Sequence, residues 1–226
     1  MRYPGGKGKC YQRLINLMPP HQTYIESHLG GGAVMRHKKA AQRSIGLDLD
    51  ATVIERWRTE QAGTCELHHV DATAFLKTFA FTGDELVYVD PPYMPETRRR
   101  AKVYRCDYTE DDHAHLLNCL VTLPCNVMIS GYGSELYNRL LAGWRKVSFP
   151  AKTHADVREE VVWMNYEPTS RLHDSRYLGE TFRDRQTIQR RQARLRSRID
   201  SMNELERHEL LQWMQENYGT APLCQD

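Results

Sequence analysis

Asp90, Pro91, Pro92 and Tyr93 follow directly on the apolar run Leu86–Val89, and their types and order suit one kind of chemistry. A buried strand ending here delivers the tetrapeptide to its tip, where an open α/β sheet holds its ligands. Two consecutive prolines fix the backbone and remove two N–H donors, which leaves the Pro91 carbonyl pointing outward. A carboxylate beside an oriented carbonyl can accept both hydrogens of one planar amino group. Tyr93 adds a flat face on which a nucleobase can stack, an interaction worth about 1–3 kcal/mol per base. Taken alone, the same four residues also read as a strand-ending acid followed by a polyproline turn.

The elements that must position this tetrapeptide alternate along the chain. Strands are expected over Thr23–Leu29, Ser44–Asp48, Glu66–Val70, Leu86–Val89, Asn126–Ser130, Trp144–Phe149 and Glu160–Asn165. Helices are expected over Ala33–Ala41, Asp50–Gln61, from Asp71 onward, over Thr109–Leu123 and over Ser134–Ala142. Thr109 with Asp112 three residues on forms an acidic capping box. The β-α-β-α rhythm predicts the α/β class: a Rossmann-like, mostly parallel seven-stranded sheet with helices on both faces. From Thr181 to about Tyr218 the pattern changes to one long polar helix without proline or glycine. The expected domains are therefore residues 1–180 and a basic helical extension, 181–226.

Composition excludes several classes. The 226 residues are 40% hydrophobic and 27% charged, enough for a packed core and unlike a disordered or fibrous chain. No apolar run approaches the roughly 20 residues of a membrane span. The opening Met1-Arg2-Tyr3-Pro4-Gly5-Gly6-Lys7 lacks a signal-peptide core, and the six cysteines show no CxxC pair or zinc spacing. The expectation is a cytoplasmic protein with reduced thiols and no metal. The net charge of +2 conceals an asymmetry. Arg183, Arg185, Arg190, Arg191, Arg194, Arg196 and Arg198 stand against the single acid Asp184, and a second basic cluster holds Arg98, Arg99, Arg100, Lys102 and Arg105. Concentrated basic patches on an acidic body suit a polyanion; a solvated helix face is the alternative.

Together these motifs resemble the Dam-like (alpha-class) family of S-adenosylmethionine-dependent DNA adenine-N6 methyltransferases, whose signature is Asp90-Pro91-Pro92-Tyr93. Arg2–Lys7 is similar to the family's N-terminal aromatic-x-GGK element, Glu26–Val34 to its glycine-rich turn, and Asp48 to the acid that takes the ribose hydroxyls. The matches span about residues 2–132. The resemblance implies catalysis by Asp90, Pro91, Pro92 and Tyr93. It also implies S-adenosylmethionine binding by Tyr3, Gly6, Lys7, Glu26, His28, Gly30, Gly32, Asp48, Asp71 and Asp90. The glycines permit positive φ and close backbone approach, so that a helix N-terminus faces the cofactor. Two readings stand for Asp71, beside the cofactor's adenine or as a helix N-cap, and two for His28, packed on the cofactor or an ordinary loop histidine. Relatives acting on protein glutamine or cytosine N4 usually carry Asn or Ser in place of Asp90.

One departure from the family is large. Dam-like enzymes usually insert a target-recognition domain between the second strand and the signature, yet only 42 residues separate Asp48 from Asp90. DNA contact is therefore expected from the basic loop 94–108, through Arg98, Arg99, Arg100, Lys102 and Arg105, and from Arg190, Arg194 and Arg198 of the extension. Double-stranded DNA is the expected partner, and the apolar stripe Ile188, Leu195, Ile199, Met202 and Trp213 is expected to dock on the body or on a second copy. An RNA adenine methyltransferase and a non-catalytic nucleic-acid-binding module of the same fold are the alternatives.

Overall fold

The computed structural model describes residues 6–61, 63–97, 105–152 and 157–219. The chain divides into two compact units, Met1–Tyr177 and Leu178–Asp226.

The first unit is a doubly wound sheet. Its elements run α1 (Tyr11–Ile15), β1 (Thr23–Glu26), α2 (Ala33–His37), β2 (Arg43–Asp48), α3 (Ala51–Glu60), β3 (Glu66–His69), α4 (Ala72–Thr78) and β4 (Glu85–Val89). They continue through α5 (Glu110–Leu120), β5 (Asn126–Gly131), α6 (Glu135–Leu140), β6 (Arg145–Lys152) and β7 (Val157–Met164). The strand order is β3-β2-β1-β4-β5-β7-β6. β1 to β5 run parallel, and β7 is antiparallel to both β5 and β6. The seven expected strands are thus present in a mostly parallel sheet.

Strand alternation builds two core layers. Ile25, Ile45, Val87, Val89, Val127 and Ile129 pack on α4, α5 and α6, while Tyr24, Leu86, Tyr88 and Met128 pack on α1 and α2. Every β4 residue is buried, as expected for a strand covered on both faces; the Leu86, Val87 and Val89 side chains each contribute about 1.5–3 kcal/mol of burial. The chain winds outward from β1 through β2 to β3, then returns to β4 on the other side of β1. That reversal opens a crevice between the ends of β1 and β4, where Glu26 pairs in register with Tyr88. The turn after β1 and the Asp90 segment after β4 therefore face each other.

Two helices differ from expectation. The helix expected to reach Ala41 ends at His37, because Lys38 turns extended and lays its buried ammonium 4.2 Å from the centre of the Tyr24 ring. Lys39 then donates its N–H to Asp174 at 2.8 Å, which draws the chain off the helical path. The expected single helix over 181–218 is two, α7 (Phe182–Asp200) and α8 (Glu204–Tyr218). Asn203 forms a capping box with Glu206, and Arg207 donates to the freed Met202 carbonyl at 2.9 Å. An Asn that bonds its own neighbouring backbone starts a new helix rather than continuing the old one. In this unit neither helix holds a buried residue, and Trp213 belongs to a different helix from Ile188, Leu195 and Ile199.

Among the described residues Cys10, Cys65, Cys106, Cys119 and Cys125 are free thiols, and no helix is long and apolar enough to cross a membrane.

Candidate active site

The turn after β1 is built from backbone bonds and one tryptophan. Ser27 N–H donates to the Tyr88 carbonyl at 3.0 Å and Leu29 N–H to the Leu47 carbonyl at 2.8 Å, which ties the turn to both flanking strands. Gly30 and Gly32 adopt positive φ, 45° and 56°, where a Cβ is strained. Trp57 of α3 donates Nε1–H to the Gly30 carbonyl at 3.0 Å, and Arg36 stacks over the indole at 4.2 Å. Asp48, at the end of β2, accepts Gly30 N–H at 2.8 Å on Oδ2 and Asp50 N–H at 2.8 Å on Oδ1. Its first task is therefore to brace the turn. A carboxylate has about four acceptor positions, so two remain. Burial raises the proton affinity of Asp48, opposed by these two backbone bonds.

Glu26 and His28 stand at the floor. Glu26 accepts the Tyr24 hydroxyl and Met35 N–H, each at 2.9 Å, and burial pushes its pKa up to about 8. His28 lies 2.9 Å from the Ser27 hydroxyl through Nδ1 and 3.0 Å from the Tyr108 hydroxyl through Nε2. Burial lowers its pKa to about 3, so it is a neutral ring near pH 7. Asp71 is the N-cap of α4, accepting Ala74 N–H at 2.8 Å; Ala72 beside it, rather than Asp71 itself, lines the cleft.

Opposite the turn lies the Asp90 segment. The Lys7 ammonium reaches it from the N-terminal side, 2.8 Å from Asp90 Oδ1, and also meets Glu160 Oε1 of β7 at 2.9 Å. It donates as well to the Tyr93 hydroxyl at 2.9 Å. Ser130 donates to the same Asp90 oxygen at 3.2 Å, whereas no described residue bonds Oδ2. Burial of Lys7 disfavours its charge, but Asp90 and Glu160 outweigh this and hold its pKa well above the ordinary value. Burial lifts Asp90 to about pKa 6, with Lys7 opposing and Glu160 reinforcing the shift. Tyr93 stacks on Tyr132 with ring centres 4.1 Å apart and planes 12° from parallel. Arg158 lies 5.1 Å from the centre of the Tyr132 ring.

Together these pieces form a cleft, partly open to solvent and lined by Gly6, Lys7, Glu26, His28, Gly30–Gly32, Asp48, Asp90–Pro92, Cys106 and Tyr108 among others. Nine of the cofactor residues expected from the sequence meet here or cap an adjoining helix; Tyr3 lies outside the described residues, as do Arg98, Arg99, Arg100 and Lys102. Arg105 is placed over the start of α3, 3.9 Å from Asp50 and 3.4 Å from the Thr52 hydroxyl. Arg190, Arg194 and Arg198 are exposed on α7. Sequence reasoning missed Glu160, Tyr132, Ser130 and Trp57. A signal existed for Glu160 alone, as an ionisable residue opening an otherwise apolar strand.

No protein-family model and no curated protein matches this chain. Solved structures similar to it include an rRNA methylase from Streptococcus thermophilus, 8% identical over 68% of this chain and 93% of that one, with a TM-score of 0.46. A dimethyladenosine transferase from Plasmodium falciparum is 12% identical over 68% of this chain and 59% of its own, at 0.43. Precorrin 8W decarboxylase from Methanobacterium thermoautotrophicum is 12% identical over 72% and 91%, at 0.44. Likeness at this level carries no argument about activity, so the functional reading rests on the residues of the cleft.

Proposed function

We propose that this chain is a DNA adenine-N6 methyltransferase that uses S-adenosylmethionine. The observation that carries the reading is the arrangement of Asp90. One of its oxygens is held by Lys7 and Ser130, the other is bonded by no described residue, and it stands across the crevice from a glycine turn.

The turn suits the adenosyl group. A side chain at Gly32 would fill the cradle, since its Cβ would lie 2.0 Å from Trp57, and Asp48 keeps acceptor positions for ribose hydroxyls beside the two backbone bonds it accepts. Glu26 and Lys7 line the same cleft and would meet the methionine portion. Bound there, S-adenosylmethionine supplies an electrophilic methyl group on a sulfonium.

The remaining work falls to the protein. The exocyclic amine of adenine is a weak nucleophile because its lone pair is delocalised into the ring. Accepting its two hydrogens on Asp90 Oδ2 and the Pro91 carbonyl favours a more tetrahedral nitrogen and aims the lone pair across the cleft; orientation of this kind supplies much of a barrier reduction. Reaching the cleft requires the base to leave the duplex. It then stacks against the Tyr93 side chain. Between β2 and Asp90 lie only α3, β3, α4 and β4, so no inserted domain reads the target there, and a short or relaxed recognition site follows. Phosphate contacts by α7 add affinity but no sequence information.

Transfer of tritiated methyl groups to duplex DNA, single-stranded DNA and RNA tests the reading. Labelling of adenine N6 in duplex DNA is expected. Labelling confined to RNA would reassign the substrate, and nucleic-acid binding without labelling would make this a non-catalytic module.

A further inference from the structure

The proposed reaction assigns no part to Glu160, yet this side chain is only 2% exposed and lies within the charge cluster of the cleft. Burying an ionisable group at that depth is unfavourable unless its surroundings compensate. The compensation comes from two groups. Glu160 Oε1 is 2.9 Å from Lys7 Nζ, and Tyr93 donates its hydroxyl to Oε2 at 3.3 Å.

Lys7 carries a compact point charge on a flexible four-carbon stem. Its ammonium donates to the Tyr93 hydroxyl and lies 2.8 Å from Asp90 Oδ1 and 2.9 Å from Glu160 Oε1. The Glu160 contact is a charge attraction rather than an aligned hydrogen bond, and it draws the ammonium toward β7. If Glu160 were absent, that pull would be lost and the ammonium would be free to turn toward Asp90 Oδ2, the oxygen that the methyl acceptor needs. On the methyltransferase reading given above, we infer that Glu160 is a positioning residue. By holding Lys7 and the Tyr93 hydroxyl from the β7 side, it confines Lys7 to Oδ1 of Asp90 and keeps Oδ2 for the substrate amine.

Glu160 also sets the charge around Asp90. The titratable groups facing Asp90 are Lys7 from the N-terminal segment, Tyr93 from its own loop, Tyr88 from β4, Glu26 from β1, Tyr137 from α6 and Glu160 from β7. Cys10 of α1 and Tyr24 of β1 stand just beyond. Of these, Glu160 and Glu26 are the acids, and Glu160 alone shares the Lys7 ammonium. Neutralising Glu160 removes a negative charge and makes Asp90 easier to ionise.

Two variants separate position from charge. Glu160→Gln is expected to lower kcat on the order of 10- to 100-fold, to leave the Kd for S-adenosylmethionine unchanged, and to move the acidic limb of the pH–rate profile to lower pH. Glu160→Asp keeps the charge but withdraws the carboxylate by one methylene; it is expected to lower kcat with the limb unmoved. Carboxyl ¹³C NMR of Asp90 in the ligand-free protein reads the same electrostatics without turnover, and its midpoint is expected to fall in Glu160→Gln. An unmoved midpoint, or wild-type kcat in both variants, overturns the inference. Wild-type protein that methylates no nucleic acid while the midpoint still moves would instead overturn the methyl-transfer reading.

Discussion

Trp57 closes over Gly32 so tightly that a Cβ at that glycine would sit 2.0 Å from the indole Cζ2. The same indole donates to the Gly30 carbonyl, so one side chain from α3 sets both the depth and the shape of the turn after β1. The glycine is required twice over, by its φ of 56° and by that close approach.

Gly32→Ala should accordingly lose about 2–4 kcal/mol of stability, the combined cost of left-handed backbone and overpacking. Thermal unfolding measures it, and S-adenosylmethionine should fail to raise the melting temperature of the variant. A melting temperature within a degree of wild type would show that the indole moves aside freely.

Asp90 must be ionised to accept hydrogens from an amine, and its pKa is raised to about 6. Activity should therefore rise with pH along a limb centred near 6, well above the ordinary carboxylate range. Asp90→Ala should abolish methyl transfer and leave cofactor affinity within a few-fold of wild type, since Lys7 keeps Glu160 as its partner. Steady-state rates between pH 5 and 8, with calorimetric titration of the cofactor, check both statements.

Glu26 provides a stability test with a definite sign. Folding raises its pKa from 4.5 to about 8, so the folded state holds a proton that the unfolded chain releases. The stabilisation is complete below about pH 4.5 and is lost as pH rises through about 8, at no more than about 1.4 kcal/mol per pH unit. Glu26→Gln, neutral at every pH, should match wild type near pH 4.5 and melt several degrees higher by pH 8. A constant difference across that range would mean Glu26 does not titrate there.

On the proposed reading, the arginines of α7 serve nucleic-acid affinity rather than chemistry. Replacing Arg190, Arg194 and Arg198 with glutamine should flatten the dependence of log K on log salt by about 0.9 for each phosphate that is no longer neutralised. Fluorescence anisotropy with duplex DNA at several salt concentrations measures the slope. An unchanged slope would assign that helix to packing or self-association.

Much of this site was legible from order and periodicity. The apolar run before Asp90, the glycine triplet after a short strand and the acid at Asp48 are local patterns, and the sheet topology brings their ends to one crevice. Local patterns also misled. Continuous helical spacing from 181 to 218 concealed the capping box at Asn203 and Glu206, because a side chain that satisfies two backbone groups outweighs a weak periodicity. Asp71 read equally as ligand or cap, and its bond to Ala74 N–H makes it the cap of α4.

What the sequence by itself determined is the parallel sheet and the strand-end position of the tetrapeptide, since apolar period and turn chemistry act over neighbouring residues. Tertiary structure decided which charges meet. Glu160 arrives from an antiparallel strand paired on β5, 153 positions from Lys7 and 70 from Asp90. Tyr132 and Trp57 arrive from the ends of other elements to stack on Tyr93 and to cover Gly32. No spacing rule encodes such meetings, because a buried ion pair or a ring contact is selected by strand register and by the desolvation of the groups around it.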